Sequence, residues 1–334
     1  MSKAAGILVL TTILALPGCG ERPAGESREL SPEALLGTGR GLDHVMVAVR
    51  DLEAAERLFF ERLGFTPGPH GQLEGLENLA IWFSDTTYLE LLTVRDQELA
   101  TQLRPSVPAF LERHEGAVGV GIAVSSAQAA ADLLAAKGLA IGGPTEGSVS
   151  YEEMEEPAVI GRYVVVREPV VPANDVFLFE YDTTALAELS ALYPERTPMR
   201  FTNHPNTALG LEAVWIAVGD LEAATDAYAS VELPMLRRLD MPRLAAEARE
   251  IEAGLGAILL LRPSDEAGAV ASFLAERGEG VMGVSIEVRD LDRALWIIET
   301  NTDLELVPYD GPFGRSVLIP ADMACGVWIE FFRR

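Results

Sequence analysis

Gly41-Leu-Asp-His-Val-Met-Val-Ala-Val-Arg-Asp-Leu-Glu-Ala-Ala55 returns 169 residues later as Gly210-Leu-Glu-Ala-Val-Trp-Ile-Ala-Val-Gly-Asp-Leu-Glu-Ala-Ala224, with ten of 15 positions identical. A third copy runs from Gly283 to Ala294, and a weaker fourth from Gly119 to Ala130. An internal repeat constrains the fold more than any local propensity does. Each copy opens with alternating apolar residues, the period of a half-buried strand. Asp51, Ser126, Asp220 and Asp290 follow as expected N-caps, since a short side-chain oxygen accepts from the free N–H groups of a first helical turn. Amphipathic helices are predicted over about 52–63, 127–137, 221–230 and 291–299. Each copy closes in another alternating strand, around Tyr88–Leu92, Val176–Tyr181, Ala257–Leu261 and Val327–Phe332. Further strands are predicted at Ala80–Phe83, Arg162–Arg167 and Ser316–Ile319. The unit reads as βαβββ, and four such units make an α+β protein.

Composition narrows the function classes. Of 334 residues, 26 are Lys or Arg and 51 are Asp or Glu, a formal net charge of −25. Nucleic-acid phosphates repel such a chain, so nucleic-acid binding is set aside. Two cysteines rule out a disulfide framework or a cysteine-rich metal site. Anionic lipid would repel the folded body as well, so membrane attachment needs a dedicated anchor.

Residues 1–18 read as a lipoprotein signal peptide that leads to one. Lys3 precedes an uncharged, mostly apolar run from Ala4 to Leu16, shorter than the ~20 residues that span a bilayer core. The run ends in Leu16-Pro17-Gly18-Cys19, which resembles a bacterial lipobox. That resemblance implies acylation of Cys19 and a lipid-anchored protein of the bacterial cell envelope, on the periplasmic side. Gly20, rather than Asp, implies the outer membrane over the inner one. The alternative is an ordinary signal peptide with Cys19 incidental. Residues 19–40 read as a flexible tether, within which Ser31-Pro32-Glu33 opens a short helix through Leu36.

Paired βαβββ modules with a first-strand His and a last-strand Glu resemble the vicinal oxygen chelate superfamily, and within it the glyoxalase-like domain proteins. The resemblance covers about 41–332. It implies that two modules curl into one cup, giving a first glyoxalase-like domain at 41–182, a linker at 183–209 and a second domain at 210–334. Pairing of the first module with the fourth is the rival arrangement. The family's cup holds a divalent metal on one first-strand and one last-strand residue of each module. Carried over, these positions are His44, Glu90, Gly119 and Glu180 in the first half, and Ala213, Leu259, Gly283 and Glu330 in the second. The expected metal site is therefore His44, Glu90 and Glu180, a set suited to Zn, Mn, Fe, Co or Ni. The metal would polarise a carbonyl, and Glu180 or Glu90 would act as the catalytic base. Arg162 and Tyr163 are expected to bind substrate.

The other readings of these residues are structural. A lone strand histidine is more often a hydrogen-bonded core residue than a ligand. Glu330 has no histidine in its own half, so Arg315 or main-chain N–H groups are its expected partners. His204 reads as a linker turn, with a fourth ligand as the alternative. Cys325 reads as buried and inert. Three functions follow. One is a metal-dependent lyase or isomerase acting on a small molecule with vicinal oxygens. The second is a cup that binds or sequesters a small molecule without chemistry. The third, an Fe(II) extradiol-type dioxygenase, fits least, because it needs two histidines in one cup. A homodimer is compatible with any of them.

Overall fold

The computed structural model describes residues 31–167, 169–172 and 175–334. The signal segment 1–18 and Cys19 lie outside the described residues. The first half contributes β1 (Leu42–Ala48), β2 (His70–Leu73), β3 (Leu76–Trp82), β4 (Tyr88–Val94), β5 (Gly116–Ala123), β6 (Gly142–Val149), β7 (Ala158–Arg167) and β8 (Asp175–Tyr181). The second contributes β9 (Ala208–Ala217), β10 (Met235–Met241), β11 (Ala246–Glu252), β12 (Ala257–Pro263), β13 (Gly280–Val288), β14 (Tyr309–Gly311), β15 (Gly314–Ile319) and β16 (Trp328–Arg333). Among the described residues they form two eight-stranded sheets, ordered β2-β3-β4-β1-β5-β8-β7-β6 and β10-β11-β12-β9-β13-β16-β15-β14. Module one thus pairs with module two through β1 and β5, and module three with module four through β9 and β13. The rival pairing of modules one and four is excluded.

The N-caps form as the sequence dictates. Asp51 accepts from Ala54 N, Ser126 from Ala129 N, Asp220 from Glu222 N and Ala223 N, and Asp290 from Arg293 N. The short helix Pro32–Leu36 also forms, and it buries Leu35 and Leu36 in the main core. Residues 32–36, which the sequence placed within the tether, are therefore part of the folded body.

Each sheet has a concave face and a face carrying helices. The helix-bearing faces of the two sheets share one continuous core, containing Val45, Leu89, Val120 and Leu178 from the first half and Val214, Leu260, Val284 and Phe331 from the second. The repeat explains how the halves lock together. Gly41 pairs with Gly254 and Leu255 in the turn between β11 and β12. A Cβ on Gly41 would lie 2.0 Å from Leu255 N. At the equivalent Gly210, a Cβ would lie 2.0 Å from the Asp85 carboxylate in the turn between β3 and β4. Each repeat glycine leaves room for a hairpin turn of the other half. Gly41→Ala is expected to cost about 1–3 kcal/mol, the usual range for overpacking, because the clash is with backbone and no rotamer relieves it. Chemical denaturation measures the loss.

The first sheet also closes on itself. Gln72 N donates to Ser150 O at 2.8 Å, and Ser150 N to Gln72 O at 3.2 Å, bridging the two edges next to β2 and β6. Arg196 of the linker braces this seam. It donates to His70 O and, through two bonds, to Glu153, and it lies over the Tyr151 ring.

Candidate functional site

The concave face of the first sheet carries His44, Glu90 and Tyr163 of the expected site residues. A bulge in β1 places Asp43 out of alternation between Leu42 and His44. His44 and Asp43 then meet through Nδ1 and Oδ2 at 2.7 Å, and Tyr181 donates its hydroxyl to the same Oδ2 at 2.7 Å. The Tyr88 hydroxyl lies 3.2 Å from that of Tyr181 and completes the chain. Burial, and then the Asp43 charge, push both tyrosines well above their ordinary range. They remain protonated donors. Nδ1 donates to the Asp43 carboxylate, and Nε2 has no hydrogen-bond partner among the described residues. The His44 ring stacks on Tyr88 at 4.5 Å, and Tyr88 packs on Trp82 at 4.1 Å. On the other side lies Gly121, where a Cβ would sit 2.1 Å from the imidazole. Glycine is required there to make room for the ring.

Glu90 lies on the same face and is 7% exposed. Asn78 donates to it at 2.6 Å, while Asn78 Oδ1 is buried with no partner among the described residues. Met46, Tyr163, Phe177 and Phe179 pack together over the far side of the face.

Glu180 is not part of this group. Its strand register sets Gly119 beside Asp175 and Gly121 beside Phe177, just as His44 lies beside Tyr88 and Met46 beside Glu90. Phe177, not Glu180, therefore occupies the position equivalent to Glu90. Glu180 is three residues further on, which on a strand means the opposite face. There its Oε2 accepts from Ala127 N at 2.8 Å, adding to the cap of the helix Ala127–Ala136. The same alternation separates the expected substrate-binding pair. Tyr163 lines the concave face beside Phe177, whereas Arg162 pairs across from Glu180 on the other face and is exposed. The four family positions of the first cup are thus His44, Glu90, Gly119 and Phe177. A catalytic metal needs about three protein ligands, and no group of three His, Cys, Asp or Glu side chains placed to hold a metal occurs among the described residues. The donor set does not fit the expected ion.

In the second sheet the equivalent face is filled. Trp215, Leu259, Met282 and Trp328 pack there with Phe313. Glu330 is fully buried and accepts from Ser285 and Tyr309 at 2.7 Å each. Trp215 donates to Ser285 in turn. Burial raises the Glu330 carboxyl above its ordinary range, against these hydrogen bonds. Hydroxyl groups, not Arg315, are its partners; Arg315 pairs with Asp292. His204 is a structural residue of the junction: its Nδ1 accepts from Thr66 N at 2.9 Å and its Nε2 meets Trp82 O at 2.8 Å. Cys325 is half-buried, and burial pushes its thiol up to about 12, so it is a poor nucleophile at neutral pH.

Sequence comparison gives the family. Residues 42–232, more than half of the chain, match the glyoxalase-like domain family. The chain belongs to that family. The match runs through the first sheet and the linker to the end of the helix Leu221–Ser230. Two solved structures share the whole four-module arrangement with this glyoxalase-like chain. A hypothetical protein from Staphylococcus aureus is 11% identical with a TM-score of 0.57, over 88% of this chain and 99% of its own. A mutant of 4-hydroxymandelate synthase from Streptomyces coelicolor is 13% identical with a TM-score of 0.56, over 88% and 92%. Methylmalonyl-CoA epimerase from Mycobacterium tuberculosis is 26% identical over 38% of this chain and 89% of its own, with a TM-score of 0.35. No curated protein sequence matches the chain significantly.

The residues that sequence reading missed are Asp43, Asn78, Tyr88 and Tyr181. Asp43 precedes His44 directly, so its identity was visible; the bulge that brings it to the imidazole was not.

Proposed function

We propose that this glyoxalase-like protein binds a small, planar, oxygen-bearing molecule in the cup of its first half, while the second half is structural. The observation that carries this reading is His44. Its imidazole is oriented by Asp43, is stacked on an aromatic face, and has no partner for Nε2 among the described residues, so a ligand can meet that atom. Trp82, half-buried at the end of the His44–Tyr88–Trp82 stack, offers ring surface that suits a planar ligand. Glu90, beside the unpartnered Asn78 carbonyl, suits a ligand hydroxyl. A second reading rests on the same pair. An Asp-oriented imidazole is an arrangement for proton abstraction, so an isomerase or lyase with His44 as base is the catalytic alternative. Metal-assisted chemistry has less support, since Glu180 faces away and Phe177 and Gly119 supply no donor. An Fe(II) dioxygenase has less again, with one histidine on the face.

The lipidation reading belongs to the same proposal: Cys19 carries the acyl anchor and holds the cup on the periplasmic side of the cell envelope, at the outer membrane. No helix among the described residues is long and apolar enough to cross a membrane. Twelve residues separate Cys19 from Pro32, a span of at most about 47 Å, so the cup would work close to the lipid surface.

The test is a screen of aromatic carbonyl and catechol compounds by ligand-detected NMR, on the parent, His44→Ala and Glu180→Gln. We expect hits whose affinity falls about tenfold in His44→Ala, as for loss of one strong hydrogen bond, and is unchanged in Glu180→Gln. Binding that is indifferent to His44→Ala would place the ligand elsewhere and overturn the reading.

A further inference from the structure

The outer face of the second sheet carries an arrangement that neither cup explains. On β10 and β11, Arg238 lies directly opposite Arg249, and two pairs along, on the same face, Asp240 lies opposite Glu247. Like charges placed opposite each other on one sheet face repel. The four residues border one cleft of about 260 Å³, completed by Glu222 and Arg262. Two of the charges are partly answered: Glu247 pairs with Arg262, and Arg249 with Glu222. Arg238 has no ion pair among the described residues.

The Arg249–Glu222 contact shows what the cleft accepts. Arg249 is 7% exposed and is held from behind by Leu221 O and Thr225 Oγ1. Its fork faces outward and takes both oxygens of the Glu222 carboxylate, one from each terminal nitrogen. The Glu222 side chain is itself 74% exposed, at the first turn of the helix Leu221–Ser230. A buried guanidinium is thus covered by an exposed carboxylate, with the Arg238 guanidinium across the strand. Bidentate Arg–carboxylate geometry is specific as well as strong.

We propose that this cleft is a second ligand site, which takes the carboxylate of a small molecule on Arg238 and Arg249 in place of Glu222. The site is separate from the first cup, and its occupant need not be the cup's ligand. Glu222 acts as an internal competitor, so removing it strengthens binding, the reverse of what loss of a structural ion pair would do.

Succinate, with neutral succinamide as its control, is the probe, titrated against the protein by NMR at about 0.15 M ionic strength, where surface charge effects beyond about 8 Å are screened. We expect saturable succinate binding in the millimolar range or tighter, and none of succinamide. Arg238→Gln should weaken it about fivefold, the value of one exposed ion pair, without lowering Tm. Glu222→Gln should tighten it about threefold or more. Glu266→Gln, an exposed loop acid, lowers the overall negative charge equally and should leave affinity unchanged. Equal binding of succinamide, no effect of Arg238→Gln, equal gains from Glu222→Gln and Glu266→Gln, or no saturable binding even in Glu222→Gln would each overturn the proposal.

Discussion

Phe331→Ala is expected to lower the stability of the whole chain by about 3–5 kcal/mol, the range for truncating a buried aromatic ring. Phe331 is fully buried on β16 of the second half, yet its ring meets Phe65 of the first half at 5.7 Å. Phe65 in turn touches Phe59, Phe83 and His204. The cavity would therefore open where the halves join, in a core that neither half owns. Since a domain of this kind has a total stability of about 5–15 kcal/mol, the loss is a large share of it. Denaturation followed by tryptophan fluorescence and by far-UV circular dichroism should show one shared transition moving to lower denaturant. Two separate transitions, with only one moved, would mean that the halves fold independently and that their shared core contributes little.

Acid is expected to loosen the same junction. Burial holds His204 down to about 4, from an ordinary 6.5. The folded state keeps Nδ1 unprotonated because it accepts the Thr66 N–H, and a proton there would face that donor. Between pH 6.5 and 4 the unfolded chain binds a proton that the folded chain refuses. Stability is complete above about 6.5 and falls as pH drops towards 4, by up to about 3 kcal/mol from this one group. The carboxyls of Asp85, Asp175, Glu287 and Glu330 are all pushed up by desolvation and act in the opposite sense over this range. The difference between parent and His204→Gln isolates the imidazole. Stability measured across pH 7 to 4.5 should fall more steeply in the parent than in the variant. Parallel curves would mean that His204 is protonated as easily in the fold as outside it.

The repeat made the architecture legible. Asp51, Ser126, Asp220 and Asp290 start their helices because each is a short oxygen-bearing residue at a strand-to-helix junction, and that local chemistry needs no tertiary information. His44 and Glu90 were legible for a related reason: a polar residue in an otherwise apolar strand has to be satisfied by something. Glu180 misled because chain position was matched without strand phase. Module two carries a longer loop before its last strand, so counting residues fails there. The alternation itself held the answer, with Val176 and Leu178 sharing a face with Glu180 and the aromatic residues Phe177, Phe179 and Tyr181 on the other. The same phase separates Arg162 from Tyr163. Asp43 was beyond reach because a bulge breaks alternation, and bulges are set by pairing between strands. The repeat glycines Gly41 and Gly210 looked like strand starts. Only the approach of the opposite half's hairpin turns shows why a side chain cannot stand there.

In the proposed reading the first cup works through His44, Asp43 and Glu90, with Glu180 on the far side of the sheet. Metal stoichiometry tests it most directly, by mass spectrometry on the purified protein after exposure to Zn, Mn, Fe(II), Co and Ni, beside His44→Ala and Glu180→Gln. We expect no tightly held equivalent of any of these ions, and identical profiles for the parent and Glu180→Gln. One equivalent of a transition metal in the parent, lost in both variants, would put Glu180 on the metal with His44 and contradict the site described above.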